Sequence, residues 1–492
     1  MSSEQEHGGM ARRGVTRPMH GGGGHEMTKE DRCDQLRQHH ARTQWVYWSI
    51  ILAGVWTLFA PVTLGYGAEI AEPSGGRSIW LSDAARITAM QVSDVASGLL
   101  LIFFGWRSLQ PDRPYSLWAA CFVGVWLTFA PLVFWAPSAA AYLNATVVGA
   151  AVIALTILVP GMPNMPMYMK MGPNQPPGWT YNPSSWPQRA ILIALAFVGW
   201  LVSRYLAAYQ LGYIETVWDP FFGDGTRQVL DSKMSHSLPV SDAGLGALAF
   251  TFEFLMGWMG SQARWRTMPW MVGFFGILVI PLGLVHIFLV ISQPVVVGSW
   301  CTFCLLAAAL MLPMIGLSAD EVVAMLQHLR GAKRRGESRW RVFWLGGAPE
   351  GSQPDERTPE VPELPRKPGL LARASVWGMT LPWTLVLSVA IGIFLMAVPG
   401  TFDVGKPAAS VFHLGGALVV TTAVIAMAEV VRPLRFLDAL LGLVIAIGPL
   451  ILDGAGGTAR LIGIVAGLAL VVLAVPRGQV RDRYASWDKV IV

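Results

Sequence analysis

The chain is poor in cysteine and in charge. Four cysteines in 492 residues are too few for a disulfide framework. Charged residues make up 14% of the chain, well under the share usual in soluble domains. No Walker loop, Rossmann fingerprint or metalloprotease helix occurs, so nucleotide-driven, dinucleotide-dependent and zincin-type chemistry have no anchor in the sequence. The net charge of +5 is spread over loops and forms no basic face, which argues against a nucleic-acid partner. The first 43 residues are polar and rich in Gly, His and Arg, and lack the apolar core of a signal peptide.

What the chain has instead is long apolar runs. Hydrophobic residues are 53% of the total. Twelve stretches are long enough to cross a bilayer: 45–66, 84–105, 117–135, 142–160, 190–212, 241–260, 270–293, 297–317, 376–399, 408–431, 436–453 and 459–475. Backbone groups in lipid must be satisfied internally, so the expected fold class is an all-α polytopic membrane protein. With the N-terminus inside, about 29 of the 36 Lys and Arg fall in cytoplasmic segments, which predicts cytoplasmic N- and C-termini. The run "GAKRRGESRWR" (331–341) is the strongest witness. Residues 318–329 begin with Ser318 and carry Glu321 three positions on, which predicts a separate helix lying along the cytoplasmic interface.

The motifs "GVWTLFAP" (54–61) and "GVWLTFAP" (124–131) stand seventy positions apart and predict a duplicated hairpin over 45–160. "GLVIAIGP" (442–449) keeps the Gly and Pro but loses the Trp, a candidate third copy. The plainer use of these Trp and Pro residues is interfacial anchoring and helix kinking. The expected organisation is a disordered cytoplasmic tail (1–43), a four-helix module (44–160) and a Pro/Met-rich linker (161–189). A central four-helix bundle (190–330) follows, then a basic Pro-rich linker (331–375), a second four-helix module (376–475) and a short tail (476–492).

Span 297–317 opens with Cys301-x-x-Cys304. Cys301 is predicted near a helix N-terminus, where free amide groups favour a thiolate, with Cys304 one turn deeper on the same face. The orientation places both near the extracytoplasmic surface, where disulfides persist. A dithiol at the membrane has a quinone as its natural apolar two-electron partner. No second cysteine pair or histidine cluster completes a zinc site, so no metal is expected there. Two cysteines buried without function are the plainer alternative.

Residues 190–330 resemble the vitamin K epoxide reductase family, including its bacterial quinone-linked thiol oxidoreductases. The resemblance rests on four spans in order, a long outer loop between the first two, and Cys-x-x-Cys heading the fourth. In that loop, "GDGTRQVLDSKMSHSLPVSDAGLGALAF", the segments "VLDSK" and "LPVSDAGLG" look like the family's half-helix and its return. The Trp-Pro repeats resemble the SPW repeat that accompanies such domains. The family implies that Cys304 passes electrons to the quinone, menaquinone or ubiquinone, and that Cys301 exchanges with an incoming extracytoplasmic thiol. It also implies quinone-facing roles for Ser232 and Asp231. The resemblance places Trp218 and Thr226 where the family loop normally carries its relay cysteines, and the outer loop has no cysteine at all. Cys33 and Cys121 lie on the cytoplasmic side and cannot replace them.

Other residues are candidates on their own. His236 is a candidate proton donor to a quinol oxygen, or a solvated loop histidine. Glu253 and His286, inside spans, predict a polar helix–helix contact or a pocket. Arg204 is expected to snorkel outward. His39 and His40 close a histidine-bearing tail with a weak metal-binding pattern, more consistent with disorder. Two readings follow. One is a quinone-linked thiol–disulfide oxidoreductase of the bacterial plasma membrane. The other is a non-catalytic quinone- or lipid-binding scaffold derived from a degenerate domain of that family. A transporter fits the span number but has few intramembrane charges.

Overall fold

A computed structural model describes residues 37, 38, 40–111, 113–159, 174–347, 349, 351–358 and 368–491. Cys33, His39, residues 161–173 of the Met-rich linker and part of the second linker lie outside them. The protein is all-helical; among the described residues no β-strand forms, only three isolated bridges. Eleven helices are long and apolar enough to cross a membrane, twelve when a bent pair counts as one span. It is a multi-pass membrane protein.

The first four helices are α1 (Gln44–Thr63), α2 (Asp83–Ser108), α3 (Pro114–Val133) and α4 (Ala139–Leu158). They pair as hairpins, and each hairpin crosses at two facing glycines. A Cβ on Gly54 would sit 2.8 Å from the carbonyl oxygen of Gly98, and one on Gly149 would sit 2.6 Å from that of Gly124. Nothing larger fits, because backbone meets backbone there. The proline seven positions after the first glycine, Pro61 or Pro131, lies in the last turn of its helix.

The same device recurs at the other end of the chain, in α11 (Trp383–Thr401) with α12 (Ala408–Ala426), and α13 (Arg435–Ile451) with α14 (Gly457–Ala474). Gly392 faces Gly416, with a Cβ on Gly392 2.7 Å from the Gly416 oxygen. Gly442 faces Gly467 at 2.6 Å by the same measure. The duplicated hairpin is therefore present four times. The candidate copy at 442–449 is one of them. The copy "GIFLMAVP" (392–399), which keeps the same Gly-to-Pro spacing, was not singled out in the sequence.

Between the two blocks stands the central bundle. It comprises α5 (Trp186–Gln210), α7 (Asp242–Trp258), the composite span of α8 (Pro269–Ile277) and α9 (Gly283–Val296), and α10 (Thr302–Arg334). The short α6 (Gly225–Leu230) lies in the loop between α5 and α7. A π-helical turn at Leu278–Leu282, holding Pro281, joins α8 to α9. Leu192, Phe250, Phe275, Val279, Met311 and Met314 fill the bundle core.

The separate interfacial helix expected at Ser318 does not form. α10 runs unbroken for 33 residues. Ser318 turns its hydroxyl onto Ile315 O at 3.2 Å inside the helix, and Glu321 is drawn to Arg264 at 2.6 Å instead of capping. The extension is buried under the linkers and the C-terminal tail. Tyr181 donates to Asp320 at 2.9 Å, Trp179 to Gln327 at 2.7 Å, and Tyr484 to Glu429 at 2.8 Å. This clasp joins the segment before α5, the end of α10 opposite the cysteine pair, and the C-terminal block with its tail.

Candidate functional site

Cys301 is the N-cap of α10 and is disulfide-bonded to Cys304, with the Cα atoms 5.2 Å apart. The sequence pair is thus brought together as expected. The turn is set by hydrogen bonds. Gln293, at the end of α9, accepts the Cys301 amide at 3.1 Å, and Cys301 Sγ accepts the Cys304 amide at 3.1 Å. Cys301 has no exposed surface, whereas Cys304 is half-buried. Leu206 and Tyr209 from α5 and Val229 and Leu230 from α6 close over the pair. α6 begins so near the Trp300 carbonyl that Gly225 admits no side chain. Cys121 is a free cysteine in α3.

One residue not singled out in the sequence ties this arrangement together. The buried carboxylate of Asp219 accepts from the amides of Phe221 (3.0 Å), Phe222 (2.9 Å) and Thr226 (3.1 Å), and from the Thr226 hydroxyl (2.6 Å). It also accepts the hydroxyl of Thr302 and, at 3.3 Å, its amide. Burial pushes this carboxyl up, but the hydrogen bonds from Thr226, Thr302 and the two amides outweigh it and hold Asp219 well below the usual carboxylate range. Thr226, at the position of an expected relay cysteine, serves this carboxylate. Trp218, at the other, is largely exposed. The signal was present in "WDPFFGDGT": an Asp before Pro and a Gly-rich turn, the pattern in which Asp caps its own loop.

The other candidates lie on the far half of the same loop. Ser232 donates to Val229 O at 2.7 Å and accepts the Ser235 amide at 3.3 Å, so its hydroxyl closes the turn after α6. Asp231 accepts from Tyr209 at 3.0 Å, and its other oxygen is buried without a partner. His236 is half-buried. Burial first, then the Arg77 guanidinium, holds its imidazole below the ordinary value. Both effects favour the uncharged ring.

Glu253 and His286 make no polar helix–helix bond. Both carboxylate oxygens of Glu253 and Nε2 of His286 are buried without a partner. Arg204 stays within the protein, 3.2 Å from the Thr146 hydroxyl and over the rings of Tyr142 and Trp200. His40 donates to Ser108 O at 3.0 Å, which fixes it to the end of α2. Among the described residues no group of three His, Cys, Asp or Glu side chains could hold a metal ion.

No curated protein and no solved structure matches the chain. A family model does, over residues 190–319, described as the Vitamin K epoxide reductase family. The match covers the Asp219 loop, the bundle and the disulfide. Its members are in general quinone-associated membrane thiol–disulfide oxidoreductases. Residues 190–319 are therefore a domain of the vitamin K epoxide reductase family.

Proposed function

We propose that this protein is a quinone-linked thiol–disulfide oxidoreductase of the bacterial plasma membrane. The observation that carries the reading is the Cys301–Cys304 disulfide at the start of a membrane-spanning helix, inside the family domain. A substrate dithiol attacks the disulfide, forms a mixed disulfide and leaves as its own disulfide, which reduces Cys301 and Cys304 to thiols. The two thiols then give two electrons and two protons to a quinone, menaquinone or ubiquinone. The quinol leaves and the Cys301–Cys304 bond re-forms. Cys304, deeper in the helix, faces the quinone step, and Cys301 the thiol step. Asp231 and Ser232 border the quinone, and His236 exchanges the proton. With both termini cytoplasmic, the pair works at the extracytoplasmic face on a thiol protein or a small thiol.

The loop has no cysteine of its own, so the incoming thiol acts on the membrane pair directly. The full burial of Cys301 favours a second reading, a non-catalytic quinone- or lipid-binding scaffold. Purified protein mixed with a dithiol and either quinone separates the two. The first reading expects quinone-dependent oxidation of the dithiol, lost in Cys304→Ala. Unchanged turnover in Cys304→Ala sinks it. Thiol trapping in cells that never detects a Cys301–Cys304 disulfide supports the scaffold.

A further inference from the structure

The loop that bears Asp231, Ser232 and His236 is held from outside its own domain. Its return, residues 235–240, is a single 3-10 turn (Ser235–Ser237) followed by non-helical chain, and its carbonyls need donors. Four of those donors' bonds come from the N-terminal block. Arg77, in the α1–α2 loop, donates to Ser235 O at 3.5 Å, to Leu238 O and to Val240 O at 2.8 Å. Trp135, in the α3–α4 loop, donates its indole N–H to Pro239 O at 3.1 Å. The guanidinium lies over the Trp135 ring, 4.9 Å from its centroid, so the two donors form one unit.

That unit is itself anchored. Trp135 is 1% exposed and takes φ 49°, a costly region for a bulky side chain. Its carbonyl is fixed by Arg86 Nε at 2.8 Å, while Arg86 Nη2 holds Ala71 O at 3.0 Å, which locks the two loops of the block to each other. A second contact covers the front of the segment. The turn Ser74–Gly76 packs on Asp231, where a Cβ on Gly75 would lie 2.8 Å from Asp231 Oδ1; Gly75 also has φ 65°.

We infer that the N-terminal block is the brace of the quinone loop, with Arg77 and Trp135 as positioning residues that set the backbone of 231–240 for quinone binding. The inference rests on the quinone-linked reading above. The loop then has two unlike halves. The half over Cys301 is tied to the cysteine helix by Asp219. The half bearing Ser232 and His236 is held by Tyr209 and Gln210 of α5 and, in addition, by the separate N-terminal block. Arg77 reaches the three carbonyls from two nitrogens of one rigid plane, Nη1 to Ser235 O and Nη2 to Leu238 O and Val240 O, whereas an ammonium offers its three donors from a single point.

The test uses the full chain in lipid nanodiscs, with Arg77→Gln, Arg77→Lys and Trp135→Phe. Two readouts are taken: hydrogen exchange of the 231–240 amides, and KM and kcat for menaquinone. In Arg77→Gln the exchange rises about tenfold in 231–240 and not in the spans. KM rises about tenfold while kcat stays within about twofold. Arg77→Lys does not restore either value. Trp135→Phe moves both the same way by less, and it carries the test alone if the Arg77 variants do not fold. Unchanged exchange in 231–240, or a loss of kcat at constant KM, overturns the inference. Absence of quinone turnover in the unmodified protein defeats the functional reading instead, and the exchange data then decide whether the brace exists.

Discussion

Asp219 accepts both the hydroxyl and the backbone amide of Thr302, the residue next to Cys301. A loop carboxylate thereby holds the first turn of the cysteine helix, in the position where a loop cysteine pair was expected and is missing. These are charge-assisted hydrogen bonds, which a docking partner can break without chemistry.

Removing this carboxylate should expose the pair. In reduced protein at fixed pH, Asp219→Ala is expected to alkylate at Cys301 several-fold faster than the parent, read by mass-tagging; an equal rate refutes the latch. The pH dependence has a definite sign. Asp219 is held below its ordinary value in the folded state. Its contribution is therefore complete above about pH 4, where the unfolded carboxyl is ionised, and is lost as pH falls toward the lower folded value. The difference in thermal stability between parent and Asp219→Asn should be constant from about pH 5 to pH 8. It should shrink only in acid.

The Arg264–Glu321 pair is buried at 0% and 3% side-chain exposure. Ser184 adds a hydroxyl to the same carboxylate, and Arg264 also meets Met256 O at 2.8 Å. Breaking it strands a buried charge. Glu321→Gln is expected to cost about 3–5 kcal/mol in reversible unfolding, and the double change Arg264→Met, Glu321→Leu to recover part of that loss. A double variant as unstable as Glu321→Gln contradicts the desolvation argument.

Glycine crossings predict a contrast within one block. Gly442→Ala drives a methyl against the Gly467 carbonyl, and separating the helices is expected to cost about 1–3 kcal/mol. Gly456→Ala, with nothing within 4 Å, should be nearly neutral. Thermal unfolding of the two variants side by side makes the comparison, and equal stabilities remove the crossing from the account.

Glu253 has no partner for either oxygen. Glu253→Leu should therefore raise the melting temperature or leave it unchanged, because a buried polar group is removed without leaving another unsatisfied. A fall in stability would mean that the carboxyl has a partner in solution.

Much of this architecture was legible, because long apolar runs admit few alternatives in a membrane. The pair Cys301 and Cys304 was legible for the same reason: a short motif at a predicted helix start has a fixed geometry. Ser318 and Glu321 misled because a capping box is a local pattern. A buried arginine from a distant loop claimed Glu321, and the helix continued. The hairpin at 392–399 keeps only the Gly and Pro spacing, a pattern too sparse to stand out in an apolar chain, although the structure depends on Gly392 and its close approach to Gly416. Arg77 and Asp219 act across gaps in sequence that no local pattern spans; only the Asp-Pro turn gave Asp219 away.

The flanking blocks are shaped by eight positions at which side chains are absent. Since backbone carbonyls set those crossings, the skeleton of each block is indifferent to what projects from its outer turns. Such a frame can change its attachments without changing its shape. Arg77 and Trp135 are one such attachment, fitted to the loop beside them, and Lys406, in the matching α11–α12 turn of the C-terminal block, is another, donating to Val295 O of α9 at 3.1 Å.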